Sequence, residues 1–233
     1  IDHQSNIWAV MGDQGLARIT CGSEGYGVQE FRNVPSDLNS LSSNRVRCLF
    51  EDSQGNLWIG TVDNGLNRYN LSSNAFYNLN RLNSGDPGLR SDIILSFLQM
   101  ETDRVLVGTR DRGIHILDPE TGRISIPDNS FSMIGDRSVS NIFCDSRGWL
   151  WIKVWGGLFC MDPGNNELKQ VHGIADDQLG ICEDDLGNLW MGAGSGLRRV
   201  GIDRQNRTFE ITEVPVLPEN SERQISGRVL YKD

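Results

Sequence analysis

The side chains best suited to chemistry are three histidines (His3, His115 and His172), five cysteines (Cys21, Cys48, Cys144, Cys160 and Cys182) and carboxylate pairs such as Asp176-Asp177 and Asp184-Asp185. None stands in a pattern that a reaction requires. There is no Cys-x-x-Cys pair, no His at zinc-like spacing, no HExxH, no nucleophile elbow and no phosphate loop. Carboxylate pairs in an acidic chain read as solvated turns unless space brings them to a defined separation. No catalytic residue, metal ligand or cofactor is therefore assigned.

What does recur is a sentence of about 17 residues. Asp52-Ser-Gln-Gly-Asn-Leu-Trp-Ile-Gly-Thr-Val-Asp-Asn-Gly65-Leu-Asn-Arg-Tyr69 is repeated in Asp184-Asp-Leu-Gly-Asn-Leu-Trp-Met-Gly-Ala-Gly-Ser-Gly196-Leu-Arg-Arg-Val200. Copies also start at Asp2 and Asp145, and a weaker one at Asp103 has Leu106 in place of Trp. The anchors Trp8, Trp58, Leu106, Trp151 and Trp190 are spaced by 50, 48, 45 and 39 residues. Periods of roughly 40 to 50 residues with a Trp signature are those of β-propeller blades.

Each copy reads as a four-stranded meander. In the second, Val46, Cys48 and Phe50 alternate within 45–51, as a strand requires. Ser53 to Asn56 is a turn, 57–61 a second strand, Asp63-Asn64-Gly65 a hairpin turn, 66–70 a third strand, and 75–79 a fourth beyond the turn Ser72-Ser73-Asn74. A long loop, 80–91, leads to the next inner strand at 93–98. The recurrent Trp is expected as a wedge between blades, and the recurrent Asp as an acceptor for turn N–H groups. The fold class is thus all-β, a propeller of about five four-stranded blades over 1–233. Residues 225–231 match the inner-strand pattern of 45–51. They would close the first blade of a five-bladed ring, or the five blades belong to a larger, seven-bladed propeller or array.

Composition narrows the partners. With 22 Lys plus Arg against 31 Asp plus Glu, net charge −9, the chain is unsuited to capturing a nucleic-acid backbone. Its longest apolar stretch, near Ile93 to Leu98, is too short to cross a bilayer, so no membrane contact is expected within it. The scattered cysteines read as small core residues.

Packing explains the consensus, so departures from it are the binding candidates. The third copy places Arg110, Asp111 and Arg112 in its second turn, followed by His115. The fourth has Lys153 where the second has Gly60, then Trp155 in the turn, and Trp149 where other copies have Asn. If these turns share a rim, Arg110, Arg112, His115, Lys153 and Trp155 make a basic and aromatic patch suited to an anionic sugar. Solvated turns plus one packing Trp are the competing reading.

The pattern Glu-Asp-x-x-Gly-Asn-Leu-Trp-Ile-Gly-Thr-x-x-x-Gly-Leu-x-Arg-Tyr at Glu51 to Tyr69, with the feeder from Asp37 to Val46, resembles the two-component regulator propeller repeat. Sialidase Asp boxes differ, since Asp52 lies three residues before Gly55 rather than two, and quinoprotein propellers add a Thr-Gly-Lys absent here. The resemblance implies the periplasmic, oligosaccharide-binding sensor region of a bacterial membrane receptor, often a hybrid histidine kinase. In such receptors further blades, a β-sandwich, a transmembrane helix and a kinase follow, and the whole is expected to be a homodimer. It implies no enzymatic activity for this segment. Two alternatives stand beside it: a streptogramin-lyase-like or glycan-processing enzyme, and a dimerisation scaffold whose ligand binds elsewhere.

Overall fold

The computed structural model describes residues 1–23, 25–71, 73, 75–85, 87–100, 104–174, 180–193, 196–203 and 208–215. It contains five antiparallel sheets in two compact units, Ile1–Ser140 and Asn141–Asp233. In the first unit, β1 (Ile7–Val10), β2 (Leu16–Gly22) and β3 (Gly25–Phe31) form a three-stranded sheet. The second sheet is β4 (Val46–Glu51), β5 (Leu57–Thr61), β6 (Leu66–Asn70) and β7 (Ala75–Leu79). The third is β8 (Ile94–Gln99), β9 (Val105–Thr109), β10 (Ile114–Leu117) and β11 (Ile124–Ser125). The fourth consists of β12 (Val139–Cys144), β13 (Leu150–Val154), β14 (Gly157–Asp162) and β15 (Glu167–Val171). The fifth, in the second unit, is β16 (Ile181–Glu183), β17 (Leu189–Ala193), β18 (Gly196–Asp203) and β19 (Thr208–Pro215). Every four-stranded sheet is a meander of neighbours in sequence, the form of a propeller blade. The stretch 225–231, expected to complete the first blade, lies outside the described residues, as does the pair Asp176-Asp177.

One turn recurs in four of the five sheets. Between β4 and β5, the Asp52 carboxylate accepts from the Gln54 and Asn56 backbone N–H groups (3.0 and 2.8 Å), from the Asn56 side-chain amide, and from the Trp58 indole N–H at 2.7 Å. Asp2 gathers the same set from Gln4, Asn6 and Trp8, and Asp184 from Leu186, Asn188 and Trp190. Asp145 takes the Arg147 and Trp149 amides and the Trp151 indole at 3.1 Å. The turns close through Gly55, Gly148 and Gly187 at φ between 78° and 81°, a region where only glycine escapes the Cβ clash. In the first copy Ser5 holds that place at φ 65°. The expected backbone role of the Asp is thus found, and a second is added: it satisfies the one polar atom of a ring that must be buried.

That ring is the wedge. Trp58, with no exposure, packs with Leu66 of its own sheet and with Ile94, Val105, Val107, Leu117 and Ile124 of the third. Trp8 meets Tyr69, whose neighbours Leu57, Ile59 and Phe76 fill the seam between the first two sheets. In the second unit Trp151 lies among Ile181, Leu189, Met191 and Val200. The consensus Arg of the third strand lies over the ring, the Arg18 and Arg68 guanidiniums each 5.9 Å from the Trp8 and Trp58 centroids. Glycine at the fourth position of the second strand admits the following inner strand. A Cβ on Gly60 would stand 2.7 Å from Ile94 of β8, and one on Gly108 2.8 Å from Val139 of β12.

Four substitutions check this. Asp52→Ala should destabilise by about 2–4 kcal/mol, because it strands the buried Trp58 N–H and two turn amides, with Asp52→Asn milder. Gly60→Val should cost about 1–3 kcal/mol by overpacking, while Gly27→Ala, where a Cβ meets nothing within 4 Å, should be near neutral. Urea unfolding of the four variants measures both.

Candidate functional site

On the side of the Asp turns, the first unit has an open cavity of about 490 Å3 lined by His3, Glu51, Asp52, Ser53, Gln54, Gly55 and Gln99. Its polar groups are engaged in fastening one blade to the next. The residue after the clamp Asp donates its backbone N–H to a side chain at the end of the following inner strand: His3 to Glu51 at 2.8 Å, Ser53 to Gln99 at 3.0 Å. Within the second unit, Ser146 donates to Glu183 at 2.6 Å through its amide and 2.8 Å through its hydroxyl. His3 adds its ring Nδ1 to Glu51, and this contact raises the imidazole pKa above its ordinary value. The cavity is therefore the mouth of a latch between blades.

The opposite ends of the strands carry the residues singled out by sequence. Arg110, Asp111 and Arg112 occupy the β9–β10 hairpin and are exposed. The hairpin is shaped by Thr109, whose hydroxyl donates to the Gly113 carbonyl at 2.8 Å and accepts the Arg112 amide at 3.1 Å. Asp111 accepts from the Ser91 hydroxyl at 2.6 Å, and Arg112 reaches Asp136 at 3.6 Å. The Arg110 backbone N–H donates to Ile93, which sets the hairpin against the loop that enters β8. That loop also carries Arg90, exposed, and Arg81, paired with Asp92 at 2.8 Å.

His115 is not at this surface. It is 1% exposed, and its Nε2 accepts the backbone N–H of Arg90 at 3.2 Å. Its place in β10 is that of Asn67 in β6: His115 faces Val107 as Asn67 faces Ile59. Asn67 fastens the preceding loop likewise, accepting from the Ser42 amide at 2.8 Å and donating to the Ser42 hydroxyl at 2.9 Å. In the third blade Arg90 stands where Ser42 does, without a hydroxyl, and the His115 Nδ1 is left buried with no partner. His115 is thus a loop fastener, and the neutral ring suits it: burial first, then the Arg90 charge, hold its pKa down to about 4.

In the second unit Lys153 has no exposure, occupying the strand position that glycine holds in β5 and β9, with its Nζ 3.5 Å from the Val154 carbonyl. Trp155, at the tip of the β13–β14 hairpin, is 68% exposed. Trp149 is buried and stacks on Trp151 at 6.3 Å, extending the wedge where other copies place the clamp Asn. Of the five residues expected at a ligand, Arg110, Arg112 and Trp155 face solvent, and His115 and Lys153 face the interior. Arg90, which sequence reading passed over, is found only through its contact with His115. The five cysteines all lie in strands, and burial pushes the Cys48 thiol up to about 12.

Known proteins confirm the blade. Residues 40–63 match the family model described as two component regulator propeller. Two extracellular domains of hybrid two component systems from B. thetaiotaomicron share the fold. One is 23% identical with a TM-score of 0.72 over 90% of this chain, the other 20% identical with a TM-score of 0.73 over 94%. This chain spans 28% and 31% of their lengths. Virginiamycin B lyase from Staphylococcus aureus is also similar, at 16% identity and a TM-score of 0.63, over 94% of this chain and 69% of that one. No curated protein matches.

The two histidines should titrate on opposite sides of 6.5. The stabilisation from His3 and Glu51 is present below 6.5 and lost as the pH rises through the raised value in the folded state. That from neutral His115 is present above 6.5 and declines, by on the order of 3 kcal/mol, as the pH falls toward 4. Histidine ring NMR over pH 4 to 8 reads both, and an imidazole of His115 that protonates near 6.5 would contradict its burial.

Proposed function

We propose that this chain is part of the extracytoplasmic sensor region of a bacterial two-component receptor, binding an oligosaccharide and relaying occupancy to a kinase elsewhere in the receptor. The observation that carries the reading is the shared blade: the family model matches at 40–63, and the similar structures are extracellular domains of hybrid two component systems. The local chemistry agrees with it. The consensus side chains are spent on packing and latching, which leaves the variable hairpin tips for recognition. Of these, Arg110 offers a guanidinium unpaired among the described residues, Arg112 one held by Asp136, and Trp155 in the second unit an apolar ring face, groups of the kind that bind sugar hydroxyls, acids and ring C–H faces. No helix of the described residues is long and apolar enough to cross a membrane. Dimerisation of the whole would bring two such regions together.

The similarity to virginiamycin B lyase keeps a lyase as the second reading. Calorimetric titration of the chain with a panel of neutral and acidic oligosaccharides, with each solution checked for breakdown by chromatography, separates the two. Saturable binding with every sugar recovered intact is expected. Product formation would establish an enzyme, and absence of both binding and turnover would make the chain a scaffold.

A further inference from the structure

The third blade of the first unit carries an arginine group that its own structure does not neutralise. Arg81 is paired with Asp92 at 2.8 Å, and Arg112 with Asp136 at 3.6 Å. Asp111 is taken by the Ser91 hydroxyl at 2.6 Å. Arg90 and Arg110 are both exposed, and among the described residues neither guanidinium forms an ion pair or hydrogen bond. Their backbones are held in place by hydrogen bonds. The Arg90 N–H is fixed on His115, and the Arg110 N–H on the Ile93 carbonyl at 3.1 Å. Both residues thus flank one loop, Ser91 to Ile93, on the hairpin side of the sheet.

This arrangement departs from the neighbouring blade in a directed way. Where the second blade has Ser42 and Val62, the third has Arg90 and Arg110, so two cations replace two uncharged residues at matching positions. The fastener changes with them, from Asn67, which needs the Ser42 hydroxyl, to His115, which accepts the Arg90 amide at Nε2. Around this loop four guanidiniums, Arg81, Arg90, Arg110 and Arg112, stand against three carboxylates, Asp92, Asp111 and Asp136, a local excess of one positive charge on a chain of net charge −9. A planar fork of N–H donors binds carboxylate or sulfate oxygens with charge-assisted hydrogen bonds. Over most of an acidic surface the same anion is repelled.

We infer that Arg90 and Arg110 form an anion-recognising subsite that takes the acidic group of the oligosaccharide, and that the ligand is therefore an acidic saccharide. This rests on the saccharide-sensing reading given above. Arg112 is kept from the subsite by Asp136, which sets how many guanidiniums face the ligand.

The test is calorimetry on the chain with three probes: a uronic acid tetrasaccharide, the same tetrasaccharide with its carboxylates methyl-esterified, and a sulfated disaccharide. The uronate or the sulfated sugar is expected to bind at least about tenfold more tightly than the ester, with affinity falling as sodium chloride is raised. R90Q and R110Q should each lose about tenfold toward the acidic probe and leave the ester unchanged, whereas D136N, which frees Arg112, should tighten acidic binding. Circular dichroism and urea unfolding confirm that each variant folds. Equal affinity for acid and ester, or R90Q and R110Q variants that bind the acid like the parent chain, would overturn the subsite while leaving saccharide sensing intact. Failure of the parent chain to bind any of these sugars or a neutral panel would overturn both.

Discussion

A single carboxylate in the turn of four of the five sheets carries the architecture. The propeller seam demands a large flat side chain, and tryptophan supplies it, but its indole N–H is a polar atom that burial would otherwise strand. The clamp aspartate answers that demand while also capping the turn amides two and four residues on, as Asp52 does for Gln54, Asn56 and Trp58. Turn closure and wedge orientation are thus one event. The electrostatics agree: at Asp184, burial opposes ionisation, but the hydrogen bonds from Trp190, Asn188 and Leu186 outweigh it and hold the carboxyl at about 2. The carboxylate is accordingly charged across the physiological range, and its contribution is present above the ordinary Asp value near 3.8 and lost only as the pH falls toward 2.

With those residues committed, function has to be built from what the repeat leaves free. The ends of the strands divide the labour. At the Asp-turn end, His3 with Glu51 and Ser53 with Gln99 tie blade to blade. At the hairpin end of the first unit, the repeat fixes Thr109 and Gly113 and lets the residues between them vary, so a rigid frame presents changeable tips. The same logic places an exposed Trp155 on the hairpin of the fourth sheet, while its neighbour Lys153 turns inward.

Much of this was legible in the sequence because blades are local objects. The strands read at 57–61, 66–70 and 75–79 are β5, β6 and β7 to the residue, since Gly65 and the Asn-Gly signal fix the turn and alternation fixes the face. Where sequence reading failed, a distant backbone atom decided the outcome. His115 looks like a surface histidine beside two arginines, yet its acceptor nitrogen is matched to an amide 25 residues back. Its kinship with Asn67 shows only when Ser42 and Arg90 are seen in the same place against their sheets. Lys153 reads as a charge for solvent, but it stands on the sheet face where Gly60 and Gly108 admit the next inner strand. Trp149 replaces a clamp Asn, and only packing shows that it doubles the wedge at Trp151.

Hydrogen exchange at the tryptophan indoles tests the clamp most directly. In a ¹⁵N-labelled sample, the Nε1–H signals of Trp8, Trp58, Trp151 and Trp190 should be protected well beyond that of Trp155, which serves as the exposed internal standard. Protection should be strongest for the fully buried Trp58 and Trp151. If these four indoles exchanged as fast as Trp155 in the folded protein, the aspartate would not hold the ring, and the account of how each blade is built would be wrong.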